Sequence, residues 1–339
     1  MKSLAFFNNK GGVGKTTLAC NMASHLAIEH SLSVLVVDCD PQCNASQLLL
    51  DEDMWDDLYA NRRDSVNKTI LKALRHIRAG DSAVDFDIPT YQSERFRCDV
   101  LPGHPSLSIL EDRFSSSWGE FLQGTPGGAR RSLWARSLVR EVDYDLVIFD
   151  LGPSLGALNR AVLLGSDAFI TPMAADMFSL YALDNIGAWI KGWLRDYERS
   201  ARTISEEHDD EFIEHGLPAA APIASGYIGY TVQQYVTKNT GGTYRAVNAY
   251  DRYRKQIPER AQGLKEYQSS TAKDLDLGLV PNMFSMVPLA QAKHAPIADL
   301  TPADGVRGAQ VRQHQRYVAR LMEIGERLVT NLGISGSVE

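Results

Sequence analysis

The sequence contains no run of apolar residues near the roughly 18 that a membrane-crossing helix needs, so no helical span is expected. Cysteine is scarce. The four present, Cys20, Cys39, Cys43 and Cys98, are too few and too scattered for a disulfide framework in 339 residues. Cys39 and Cys43 flank Asp40, but no second pair completes a metal site, so all four read as small core or loop residues. Free thiols and no leader-like segment before the first apolar run imply a reducing, cytoplasmic setting. Positive charge is not in excess: 35 Lys and Arg stand against 42 Asp and Glu, a net −7. That balance excludes a protein that coats nucleic acid over its whole surface, and any DNA contact must come from a local basic stripe.

What is present is ordinary globular material, 44% hydrophobic and 23% charged, enough for one large α/β core. One segment stands out. Lys10-Gly11-Gly12-Val13-Gly14-Lys15-Thr16-Thr17 follows an apolar run (Leu4 to Phe7) and precedes the helix-like Leu18 to Ala23. Strand, glycine-rich turn and helix form the context of a phosphate-binding loop. Glycines let backbone N–H groups turn inward on an anion, and the helix N-terminus adds partial positive charge. Lys15 is placed to reach the β- and γ-phosphates of ATP, and the Thr16 hydroxyl to ligate Mg²⁺. Asn9 stands where the general pattern has glycine, and a second lysine, Lys10, sits at the mouth.

That form, with Lys10 ahead of Gly11, Gly12, Val13, Gly14, Lys15, Thr16 and Thr17, resembles the deviant Walker A loop of the ParA/MinD ATPases. In that family the extra lysine reaches across a nucleotide-sandwiched dimer to the partner's phosphates, which gives Lys10 a catalytic role. Two further motifs fit. Asp38-Cys39-Asp40-Pro41-Gln42-Cys43-Asn44-Ala45-Ser46 looks like the family's switch I, where Asp40 orients or activates the attacking water and borders the metal. Asp38 alone reads equally well as a cap on the loop at the strand end. Asp150-Leu151-Gly152-Pro153-Ser154-Leu155-Gly156 resembles switch II, with Asp150 as the Walker B carboxylate holding the Mg²⁺ shell. Gly152 stands where many relatives have proline, a change that would loosen the switch. The stretch from Met286-Val287-Pro288 to Ala295-Pro296-Ile297 resembles the region beside the adenine, with Pro288 assigned to the base.

The expected architecture is a doubly wound, mostly parallel sheet flanked by helices, one P-loop ATPase domain over 1–339. Strands are expected at 4–8, 34–38, 98–102, 146–150, 168–172, 224–229 and 283–288. Insertions are expected near 51–95 (a helix carrying Leu71, Leu74 and Ile77), 115–128 (a mobile Ser/Gly/Pro-rich loop) and 196–222 (a surface excursion).

Arg312, Arg316 and Arg320 recur every fourth residue, so they share one helix face, and 305–320 contains no Asp or Glu. Val311, Val318, Leu321, Met322 and Leu328 are expected on the core side. The arginines read either as a solvated face or as a phosphate-tracking stripe for non-specific DNA. The resemblance implies a cytoplasmic, nucleoid-associated switch. ATP would drive homodimerisation, the dimer would bind DNA non-specifically, and a ParB-like partner would stimulate hydrolysis. No N-terminal helix-turn-helix fits before a P-loop at residue 10. A MinD-like membrane role needs a basic amphipathic tail, which Asn331 to Glu339 does not supply. A ParA-like switch on a non-DNA cargo is the other alternative.

Overall fold

The computed structural model describes residues 1–61, 63–234, 245–283 and 285–334. Eight strands form one sheet: β1 Lys2–Phe6, β2 Val34–Asp38, β3 Tyr91–Ser93, β4 Cys98–Leu101, β5 Leu146–Asp150, β6 Ala168–Ala174, β7 Tyr227–Gln233 and β8 Asp276–Val280. Their order is β3-β4-β2-β5-β1-β6-β7-β8, and every pairing is parallel except the β3–β4 edge. The doubly wound, mostly parallel expectation is met.

Alternate residues of each central strand feed two cores. Ala5, Val37, Val147 and Phe149 face one, Leu4, Phe6, Val36 and Ile148 the other. Both faces are buried, which is why these strands read as unbroken apolar runs. Helices α1 (Lys15–Glu29) and α2 (Asn44–Leu49) cover the second face. Next in the chain come α3 (Glu52–Tyr59) and α4 (Arg75–Ala79). The first face is covered mainly by α5 (Leu110–Leu122), α6 (Pro126–Ser132), α7 (Trp134–Glu141), α8 (Ala157–Gly165) and α9 (Met177–Glu207). After α10 (Asp209–Glu214), α11 (Arg245–Arg254) and α12 (Ile257–Ala261), helices α13 (Met286–Ala292) and α14 (Ala309–Leu332) return to the second face.

Register explains why motifs far apart in sequence meet. Asp38 pairs with Asp150 across β2–β5, and Phe6 pairs with Asp150 across β1–β5. The three central strands therefore end level, and ligands in such sheets bind at the carboxyl ends of the strands.

Several expected elements are corrected. Instead of a strand over 283–288 the last strand is β8, in which Leu277 and Leu279 alternate with Asp276 and Gly278; α13 begins at Met286. Residue 284 lies outside the described residues. Pro288 sits in the first turn of α13, where a missing N–H costs nothing. The strand expected at 224–229 starts at Tyr227 and runs to Gln233, because Pro222 opens a 3-10 turn over Pro222–Ser225.

Residues 115–128 are not a mobile loop. Leu110, Phe114, Trp118 and Phe121 bury one stripe of α5. Gly128 lets α6 pack on that helix, since a Cβ there would lie 2.5 Å from the Phe121 nitrogen. The acidic part of 196–222 continues α9, a helix of 31 residues that buries Tyr197, Ala201 and Ile204. In 51–95, Leu71, Leu74 and Ile77 are buried, but instead of one helix carrying all three only Ile77 lies within α4 and turns precede it.

Candidate nucleotide site

The loop after β1 turns through Gly12 (φ 72°) and Gly14 (φ 76°), both in the left-handed region that favours glycine, and Gly14 caps α1. Lys15 follows, buried, its Nζ donating to the Lys10 carbonyl at 3.3 Å. Burial lowers its pKa, while Asp150 and Asp40 oppose that shift. Thr16 Oγ1 donates to Asp150 Oδ2 at 2.7 Å.

Asp150 is fully buried and its other oxygen, Oδ1, has no hydrogen-bond partner. Burial pushes its pKa up to about 8, with neighbouring Asp38 adding to the shift and Thr16 and Lys15 opposing it. A buried carboxylate with one unused oxygen beside a threonine hydroxyl fits a Mg²⁺ shell, because Mg²⁺ keeps waters and phosphate oxygens among its ligands. Among the described residues no group of three or more His, Cys, Asp or Glu could hold a metal unaided.

Asp38 is a cap. Its carboxylate accepts from Ser46 N (2.8 Å), Ser46 Oγ (2.7 Å) and Asp40 N (3.2 Å), which fixes the turn into α2. Burial pushes its pKa up to about 6. The turn it braces carries Asp40, whose own carboxylate accepts from Gln42 N at 2.9 Å. The 150–156 loop lies beside it: a Cβ at Gly152 would lie 3.3 Å from the Asp40 carboxyl carbon, and one at Gly11 would lie 3.9 Å from Pro153. The glycine at 152 permits this approach rather than merely loosening the loop.

Lys10 stands at the mouth of the loop, lining the cavity beside it. Its ammonium pairs within its own chain with Asp176, and Ser179 Oγ lies 3.5 Å away. Asp176 also caps α9, accepting from Ser179 N at 3.0 Å. Sequence reasoning missed Asp176, although Asp-x-x-Ser after an apolar run is a readable helix start.

Beside the loop lies a cavity of about 520 Å³ lined by Lys10, Gly11, Gly12, Gln233, Tyr253 and Asn282, among others. Pro288 is not among its lining residues and stands exposed in the first turn of α13. Val13, Thr16 and Thr17 lie at the loop and first turn of α1 as expected.

Arg312, Arg316 and Arg320 all lie exposed on α14, far from these motifs in sequence, and Arg320 pairs with Glu323 at 2.5 Å. Leu321 and Leu328 face the core as expected, with Tyr317 and Ile324, and Val318 is half-buried. Val311 and Met322 are exposed, because the buried stripe follows 317, 321, 324 and 328. The terminal segment 335–339, on which the membrane-tail reading partly rested, lies outside the described residues. No described helix is long and apolar enough to cross a membrane.

A family model described as an AAA domain matches residues 1–200. Similar proteins include a chromosome partitioning protein ParA of Myxococcus xanthus, 29% identical over 53% of this chain and 54% of that protein. The chromosome-partitioning ATPase Soj of Thermus thermophilus is 30% identical over 53% of this chain and 57% of that one. The chain belongs to the ParA/MinD family. It spans little more than half the length of these curated relatives.

Among solved structures, a protein of Corynebacterium diphtheriae matches with TM-score 0.77 and 33% identity, covering 98% of this chain and 99% of that one. The ATP complex of Cyanothece McdA matches with TM-score 0.60 and 15% identity over 100% and 99%, a likeness of fold alone.

Proposed function

We propose that this ParA/MinD-family protein is an ATP-driven dimerising switch that hydrolyses ATP, binds DNA without sequence preference, and partitions or positions DNA with a stimulating partner of the ParB type. The observation that carries the reading is the Thr16–Asp150 contact beneath a phosphate loop bearing two lysines. The backbone amides at 11–16 and Lys15 would bind the triphosphate, and Thr16 and Asp150 would hold Mg²⁺, which when bound offsets phosphate charge. Asp40, braced by Asp38 and with little space between it and Gly152, would orient the attacking water. Gln233, Asn282 and Tyr253 offer amides and an aromatic face for the base.

Dimerisation is favoured by the surface next to Lys10. Met177, Phe178 and Tyr181 are exposed at the start of α9, an apolar patch that a second copy would cover. Calorimetry with MgATP on the wild type and Lys15→Ala tests the binding half of the proposal. The variant is expected to show no binding, and retained wild-type affinity would remove the assignment of this loop.

A further inference from the structure

Glu111 belongs to none of the nucleotide motifs, yet it is bonded to the end of one. From α5 its Oε2 accepts the Ala157 N–H at 2.6 Å and the Leu158 N–H at 3.2 Å, the first two amides of α8. That helix follows directly on the Asp150–Gly156 loop, and its own N-cap residue, Gly156, supplies no side chain. A Cβ at Gly156 would come within 2.6 Å of Glu111 Oε1, so the approach needs glycine there. A carboxylate at this place satisfies two orphan donors and opposes the helix dipole favourably. Arg160, one turn along α8, lies 4.7 Å over the Trp118 ring of α5 and attracts Glu111, which ties the two helices further.

The loop has a second anchor on its inner side. Buried Asn159 donates from Nδ2 to the carbonyls of Gly152 and Ser154, both at 2.8 Å. The stretch that Asn159 holds is the one beside the catalytic candidates: a Cβ at Gly152 would lie 3.3 Å from the Asp40 carboxyl carbon, and one at Gly11 would lie 3.9 Å from Pro153. A loop pinned at both ends has one returning position. A loop whose α8 end is loose has several.

We propose that Glu111 is a positioning residue for hydrolysis, a cap from outside the motifs that fixes the hinge at Gly156 and so returns Gly152 to Asp40. The proposal rests on the ATPase reading above. It assigns Glu111 no contact with nucleotide, so its loss should spare binding and slow turnover.

The test compares wild type, Glu111→Ala and Glu111→Gln by MgATP affinity, phosphate-release kcat, and hydrogen exchange across α5 and 151–158. For Glu111→Ala, kcat is expected to fall about tenfold, the scale of one lost helix cap, with affinity within about twofold. Glu111→Gln, which keeps an acceptor oxygen and loses the charge, should recover part of the rate. Faster exchange should be confined to 151–158. An unchanged kcat in a folded variant overturns the proposal. So does a parallel loss of rate and affinity with faster exchange throughout α5 and α8, the signature of a purely structural contact. If Glu111→Ala does not fold, Glu111→Gln decides on the same criteria. A wild type that binds MgATP without turning it over removes the ATPase reading by itself. Exchange then decides the hinge: faster at 151–158 supports it, unchanged overturns it.

Discussion

Lys10 and Asp176 form an ion pair within one chain, between the mouth of the phosphate loop and the cap of α9. A lysine that is to serve a second protomer must first leave this carboxylate. The pair is partly solvent-exposed, so the barrier it sets is modest.

Asp176→Asn should therefore release Lys10 while keeping a competent helix cap, since asparagine caps as well as aspartate. On the ATP-loaded Asp40→Ala background, the dimer dissociation constant is expected to tighten about threefold, the scale of one exposed ion pair. Lys10→Ala should shift it the other way. Sedimentation over a concentration series reads both, and identical constants for all three proteins would show that Lys10 plays no part in association.

Protons should be linked to stability through the buried carboxylates. Asp150 and Asp38 have native pKa values near 8 and 6, both above the ordinary 3.8. A raised native value means the folded state holds the proton more tightly, so stability falls as pH rises. The Asp38 contribution is lost up to about pH 6 and the Asp150 contribution up to about pH 8. The melting temperature of the nucleotide-free protein should drop between pH 6 and pH 8.5. Asp150→Asn should flatten that drop, and equal slopes for variant and wild type would contradict the assignment.

DNA binding by α14 should depend chiefly on Arg312 and Arg316, because Arg320 already has a partner in Glu323. Two such arginines from each protomer give four phosphate contacts and a log–log salt slope of about −4. Arg312→Glu with Arg316→Glu should abolish the ATP-dependent gel shift and leave basal hydrolysis within about twofold, as charge reversal removes counterion-releasing contacts and the stripe carries none of the nucleotide motifs. A surviving shift would move the site elsewhere.

Much of the nucleotide site could be read from sequence because its pieces are local. The loop from Lys10 to Thr17 carries its own turn chemistry, and Asp150 ends an apolar run at a telling distance behind that loop. What escaped were contacts between distant segments. Asp176 meets Lys10 across 166 residues, and Glu111 meets Ala157 across 46. Neither spacing leaves a periodic trace. The 115–128 error has a different cause. Phe114, Trp118 and Phe121 have helical spacing, but serine and glycine suggested a loop, and tertiary packing on α8 and α9 overrode their weak propensity. Pro288, read as part of a strand over 283–288, sits instead in the first turn of α13.

The mass of Asp40→Ala in solution is the most direct test of the switch. Its carboxylate is the residue assigned to water activation, so the variant should bind MgATP and retain it. Light scattering should give one chain's 37.5 kDa with MgADP and twice that with MgATP. The same mass in both nucleotides would contradict an ATP-driven dimer.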